Sequence, residues 1–376
     1  MIISILIILL AMLVIWRASD GFETASEYLG RNLTDGVRGA TINAIGSSMP
    51  ELFTTFFGLL LLQNTDNFAF GIGTTAGSAV FNAMIIPAVV IFAVIGSGMA
   101  KKVNVSKKVI LRDGLSLLAA EFILIFVVSG NRLDWWHGAI LMLTYGAYVV
   151  VMFRTMGEAT ELDGDDDDDE EDVEPTGFGK ALLTLDIESL IIGSREMASG
   201  RAWGLLVVSM VVIGSACIGL VHACEELAGV MGLAPYFIAV VLASAATSVP
   251  DTIISYRDAM NGEFDDAVAN ALGSNIFDVC FALGLPLFVY TLIYAPIEMP
   301  AETVANVAEL RVSLFLLTLV AFVIFYFNKG MGIVHAVFLL LLYVAFTVFV
   351  MSKAYGVQWA VDLGMSFQGI IGAISP

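Results

Sequence analysis

Gly46-Ser47-Ser48-Met49-Pro50-Glu51 returns later in the same chain as Ala246-Thr247-Ser248-Val249-Pro250-Asp251. Gly77-Ser78-Ala79-Val80-Phe81-Asn82 likewise returns as Gly273-Ser274-Asn275-Ile276-Phe277-Asp278. The first pair is offset by 200 residues and the second by 196, so two separate motifs repeat at nearly one period. Small residues matching by chance rarely do that, and the chain reads as a duplicated unit. Each copy places a proline, and an acid next to it, inside a strongly apolar stretch.

Working outward, the 376 residues are 58% hydrophobic and only 14% charged, with a mean hydropathy of +0.88. That composition lies outside the range of soluble domains and makes the lipid bilayer the solvent. About 20 apolar residues cross the hydrocarbon core. Segments of that kind fall at 1–16, 36–62, 68–96, 109–128, 133–153, 203–222, 233–258, 266–293, 311–327 and 333–351. The first lacks the basic start and small-residue cleavage site of a signal peptide, so it is expected to be retained. Ten spans divide into five and five, and an odd number means that the second copy enters the membrane from the opposite face.

The expected fold is therefore an all-α integral membrane protein of about ten transmembrane helices in two inverted five-helix repeats. Broken helices in matching places line a site near the bilayer midplane. Residues 1–153 would form the first repeat, with its motif region at 39–88, and 203–353 the second, with its motif region at 239–288. Residues 154–202 would be an acidic linker and 354–376 a short tail along the interface.

Lys and Arg set the orientation, because cytoplasmic loops carry their excess. With the N-terminus outside, fourteen of the 17 fall on the cytoplasmic side and only Arg132, Arg311 and Lys353 outside. The net charge of −19 is concentrated in Glu158 to Glu174, with its run Asp165 to Asp169. Such a block resists burial and reads as a solvated, disordered cytoplasmic linker. It lacks the spacing of an EF-hand loop. Cys217, Cys224 and Cys280 have no metal-ligand spacing, and His222 beside Cys224 falls short of the ligands that a zinc site needs.

A proline inside a span removes a backbone hydrogen bond, which frees carbonyl oxygens near Ser47 and Thr247. Next to the prolines stand Glu51 and Asp251, at a depth where an unpaired carboxylate is costly. Ser78 with Asn82, and Ser274 with Asp278, are spaced i, i+4 and share a helical face. Brought together, these side chains offer only oxygen donors, which suits calcium and alkali cations and not the metals that favour His or Cys. A lone Ser-Xaa-Pro kink is ordinary packing; the duplication makes it a site. Glu121 has no counterpart in the other repeat and is expected to serve a pairing or cavity-facing role without a transport function.

At these residues the chain closely resembles the cation/calcium exchanger superfamily. Its motif stretches are most similar to those of the potassium-dependent sodium/calcium exchangers, although Ser248-Val249-Pro250-Asp251-Thr252 is similar to both classes. The resemblance implies that Glu51 and Asp251 carry calcium with Ser47 and Thr247. It also implies that Ser48, Ser78, Asn82, Ser248, Ser274 and Asp278 line flanking sodium sites. Asp278 is in addition the potassium candidate, since Asn82 is neutral in the other repeat. The implied activity is secondary active export of calcium in exchange for sodium across the plasma membrane, by alternating access, with potassium co-transport left open. No enzyme activity, cofactor, nucleic acid or obligatory protein partner is expected beyond the ions and the bilayer. The alternatives are a potassium-independent or a proton-coupled calcium exchanger of the same fold, a passive channel, and an intramembrane aspartyl protease using two acids as a dyad.

Overall fold

The computed structural model describes residues 1–30, 44–61, 67–156, 178–193 and 195–374. In the first half run α1 (Ile2–Gly30), α2 (Ala44–Ser47), α3 (Met49–Leu61), α4 (Asn67–Gly96), α5 (Lys107–Val127) and α6 (Trp135–Met156). Two short helices, α7 (Phe178–Thr184) and α8 (Ile187–Ile191), lead into the second half. There run α9 (Ser199–Met231), α10 (Pro235–Ile238), α11 (Ser244–Thr247), α12 (Val249–Asn261), α13 (Phe264–Phe277), α14 (Leu283–Ile293), α15 (Ala301–Phe327) and α16 (Ile333–Ala354). A last helix, α17 (Gln358–Ile374), follows. Local chemistry sets the ends: Ser106 accepts a hydrogen bond from the Val109 amide at 3.3 Å to start α5, and left-handed Gly232 (φ +68°) and Gly262 (φ +93°) stop α9 and α12.

Large apolar side chains point outward from these helices, with Leu143 72%, Val211 63% and Val334 80% exposed. Only a lipid surround makes such a surface stable, because it costs nothing in hydrocarbon and a great deal in water. Among the described residues eight helices are long and apolar enough to cross a bilayer. The two expected spans outside that set are 36–62, of which 36–43 and 62 lie outside the described residues, and 109–128. Helix α5 covers the latter, and Arg112, Asp113 and Glu121 make it less apolar than the others.

Short backbone pairings show that α5 nonetheless runs the full distance. Strands β1 (Arg132–Leu133) and β2 (Ile297–Glu298) pair antiparallel, joining the loop after α5 to the loop before α15. At the other end a bridge joins Val103 to Met331, just before α5 and just after α15. Helices α5 and α15 therefore span the same two layers in opposite directions. They are the fourth spans of their halves, so the repeats are inverted. Lys101, Lys102, Lys107 and Lys108 cluster at the Val103 end, hereafter the lysine end; the opposite one is the strand end. The Ser106 amide donates to Asp265 at 2.6 Å, which puts the α12–α13 turn at the lysine end too.

Helices α1 and α9, the first of each half, pack along one another and share one apolar cluster. The other spans build the larger cluster. Several boundaries differ from the sequence reading for identifiable reasons. The first helix continues past Trp16 to Gly30, carrying Arg17, Asp20 and Glu23 into ion pairs with each other and with Arg257. The ninth begins at Ala301 and not at 311, because Glu309 and Arg311 both find polar partners inside the bundle. Arg311 is no loop cation: it is buried and donates to the carbonyls of Val307 at 3.2 Å, Leu124 at 3.3 Å and Ile125 at 2.6 Å, the last two at the end of α5. Glu309 pairs with Lys353. The tail forms α17, which packs on α15 and α16, with Gln368 donating to Glu309 at 2.6 Å and Phe367 against Phe349. Of the acidic linker, 157–177 lie outside the described residues. Its later part docks on α1, where Arg17 donates to the Thr184 carbonyl and Thr24 to Glu188.

Candidate cation site

Ser48 separates α2 from α3, and Ser248 (φ −81°, ψ 1°) separates α11 from α12. Pro50 has no N–H for the carbonyl of Gly46, and Pro250 has none for that of Ala246, so each break leaves an oxygen without its usual helical donor. The acids beside the prolines, Glu51 and Asp251, fall in the first turns of α3 and α12, where the helix dipole favours negative charge. In the second half the helix widens into π turns at Ala239–Ala243 and Asp278–Ala282, the second beginning at the site acid itself.

Helices α4 and α13 cross the breaks and supply the remaining oxygens. Ser78 is the hub: its hydroxyl lies 3.1 Å from Glu51 Oε1, 3.1 Å from Asp278 Oδ2 and 2.8 Å from the Ser248 hydroxyl. Its mate Ser274 donates to Asp251 Oδ1 at 2.9 Å and lies 3.4 Å from the Ser47 hydroxyl. The Asn82 amide donates to Asp251 Oδ2 at 2.8 Å. Across the repeat interface Thr247 faces Glu51, Ser47 faces Asp251 and Ser48 faces Asp278. Each half thus completes the surroundings of the other half's acid. Gly77 permits the approach, since a methyl there would run into the Val240 carbonyl and Ser244 and push Ser78 away from Ser248.

All ten side chains singled out in the sequence come together here, and all are buried. One carboxylate oxygen from each of Glu51, Asp251 and Asp278 lies within 4.8 Å of the others. At an effective dielectric near 20, each ionised pair at that separation costs roughly 3 kcal/mol, and the three pairs together about 10. Glu51 Oε2, Asn82 Oδ1 and Asp278 Oδ1 have no hydrogen-bond partner among the described residues. Buried acceptors are nearly always satisfied. Three unpartnered acceptor oxygens within or beside three clustered carboxyls are a donor set that fits a cation.

Other candidates fall outside the trio. Glu121 is buried and accepts from Thr318 at 2.7 Å, a tie between α5 and α15. His222 lies 3.8 Å from Glu225, and no three-ligand group among the described residues includes it or Cys224. Two residues that the sequence reading does not assign to the site support it. Asn275 donates to the Ala79 carbonyl at 3.0 Å, locking α13 to α4, and the Cys217 thiol reaches the Pro50 carbonyl at 3.6 Å. Asn275 was visible as a difference, because its repeat mate is Ala79 and cannot return the bond.

The sodium/calcium exchanger protein family matches residues 3–154 and 201–352, both halves of the chain. The chain belongs to that family. Exchangers of this family are transporters, not enzymes. Among curated relatives, sodium/potassium/calcium exchanger 3 of Homo sapiens is 35% identical over 121 residues, 32% of this chain and 17% of its own length. Exchanger 5 of Homo sapiens is 25% identical over 83% of this chain and 75% of its length. The chain thus spans about a sixth of the first of these relatives and three quarters of the second. The fold is that of solved exchangers. A crystal structure of the H+/Ca2+ exchanger CAX aligns with TM-score 0.62 at 13% identity, over 98% of this chain and 92% of that one. The sodium-calcium exchanger NCX_Mj aligns with TM-score 0.53 at 18% identity, over 92% and 97%.

Proposed function

We propose that the protein is a secondary antiporter that moves calcium out of the cell in exchange for sodium, with calcium bound between Glu51 and Asp251. The observation that carries this reading is the buried, oxygen-only trio of carboxylates assembled from both inverted repeats. Ser47 and Thr247 complete the calcium position. Ser48, Ser78, Asn82, Ser248, Ser274 and Asp278 serve sodium on either flank. Calcium and sodium then compete for shared oxygens, and an empty trio is too costly to switch between faces, which couples the two fluxes. The lysine end is cytoplasmic and the N-terminus outside, in the plasma membrane. The functional units are the halves 1–153 and 203–353, joined by the 154–202 linker.

Potassium enters through the asymmetry of the repeats. With three carboxylates, calcium alone leaves one negative charge, and a potassium ion at Asp278 balances it. The names of the curated relatives, sodium/potassium/calcium exchangers, support that choice. Counterflow tests the transport reading: proteoliposomes loaded with unlabelled calcium should take up labelled calcium transiently above equilibrium. With the membrane potential clamped at zero, a channel cannot drive that overshoot, and a monotonic approach to equilibrium would overturn antiport.

A further inference from the structure

Asp266, Asn270, Ser274 and Asp278 follow one another at i, i+4 along α13 and its π turn, and form one polar stripe from the lysine end to the site. Asp251, Ser255 and Asp258 make the facing stripe on α12. Burial rises along both, from exposed Asp266 and partly exposed Asp258 to fully enclosed Asp251 and Asp278. Midway stands Asn270, only 5% exposed. Its Nδ2 donates to Ser255 Oγ at 3.1 Å and to the Asp251 carbonyl at 3.4 Å. Its Oδ1 has no partner among the described residues. An amide oxygen left bare at that depth costs free energy that a passing cation would recover.

The same positions of the first repeat differ. Asp266 corresponds to Phe70, which is fully buried in the apolar cluster, and Asp258 to Gly58. Asn270 corresponds to Thr74 and Ser255 to Thr55, whose hydroxyls are spent on carbonyls of their own helices at 3.0 Å and 2.8 Å. Polar residues therefore recur along the lysine side, whereas Phe70 and Gly58 interrupt the corresponding positions on the strand side.

We propose that Ser255 and Asn270 form a transit site for a partly dehydrated cation, one helical turn outside the three-carboxylate centre and on the lysine side only. It rests on the transport reading above. A calcium ion arriving between Asp258 and Asp266 exchanges water for Ser255 Oγ and Asn270 Oδ1 before reaching Asp251, so dehydration proceeds in two steps.

The test is self-exchange of labelled against unlabelled calcium in proteoliposomes of fixed orientation. Calcium is varied on one face while the other is kept saturated. Asn270→Ala should raise the half-saturating calcium about tenfold on the lysine face, the effect of losing one polar contact to a charged group, and leave the strand face unchanged. Asn270→Asp, which keeps an oxygen in place, should stay within about twofold of wild type on both faces. Ser255→Ala gives the same one-sided pattern on a smaller scale, and serves if the asparagine variant does not fold. An equal shift on both faces would mean that the amide only positions Asp251, and would overturn the transit site. No shift on either face would do the same. Self-exchange needs no driving ion, so a wild type that self-exchanges without sodium-driven uptake would count against sodium coupling and not against this site.

Discussion

Replacing Asp278 with Asn should make transport indifferent to potassium. One oxygen from each of the three carboxyls lies within 4.8 Å of the others, and if all three are ionised calcium offsets two of the three negative charges. A monovalent cation about 4 Å from the remaining charge gains roughly 4 kcal/mol at an effective dielectric near 20. Every 1.4 kcal/mol is a factor of ten, so the gross preference for a bound potassium approaches a thousandfold. Dehydrating the ion offsets part of this, yet a surviving tenth of that factor is easily measured. Asn82 shows that an amide fits this place in the other repeat, where it holds Asp251 at 2.8 Å, so the substitution is mild in shape. The assay is sodium-driven calcium flux in liposomes, with potassium present or replaced by a large organic cation. Wild type should lose most of its flux without potassium, and Asp278→Asn should run equally in both media. Equal wild-type flux in the two media would refute the charge argument and leave Asp278 carrying its own proton.

Four further outcomes follow from the same geometry. Glu51→Gln and Asp251→Asn should each abolish calcium transport while remaining monodisperse in detergent, since each removes a charge that the divalent ion needs; wild-type rates would undo the central assignment. Ser78→Ala should shift the sodium dependence more than Ser274→Ala, because Ser78 touches two carboxylates and Ser274 one; an unchanged sodium curve for both would remove them from the sodium sites. Gly77→Ala should cost most of the transport rate by separating α4 from the Val240 carbonyl, with rates compared in vesicles carrying equal amounts of protein. Arg311→Met should lower the thermal midpoint in detergent through the loss of three carbonyl contacts, each worth about 1.5–3 kcal/mol for a charged donor, and an unchanged midpoint would show that those carbonyls find other donors.

The site was legible in the sequence because its chemistry is duplicated. Pro50 with Glu51 and Pro250 with Asp251 are improbable inside apolar spans, and their shared period announces a constructed feature. The fold was legible in kind for the same reason, and less so at its edges. Hydropathy treats Glu309 and Arg311 as loop residues, whereas in the bundle Lys353 neutralises one and the open end of α5 takes the other. The docking of α17 depends on that same Glu309, so it was hidden too. The length of α1 is not legible in the sequence, because Arg17, Asp20 and Glu23 look like the end of a span until Arg257 arrives from a distant helix. Asn270 is not legible from the repeat, because Thr74 stands at its place in the first copy and the meaning of that difference lies in contacts, not in composition.

The central claim is that one shared set of carboxylates carries calcium one way and sodium the other. Uptake of labelled calcium into sodium-loaded proteoliposomes, with the external medium free of sodium and the pH equal on both sides, tests it most directly. The account predicts accumulation above the external calcium concentration that collapses when a sodium ionophore dissipates the gradient and is absent in Glu51→Gln. Accumulation that survives the ionophore, or that requires a pH gradient instead, would contradict it.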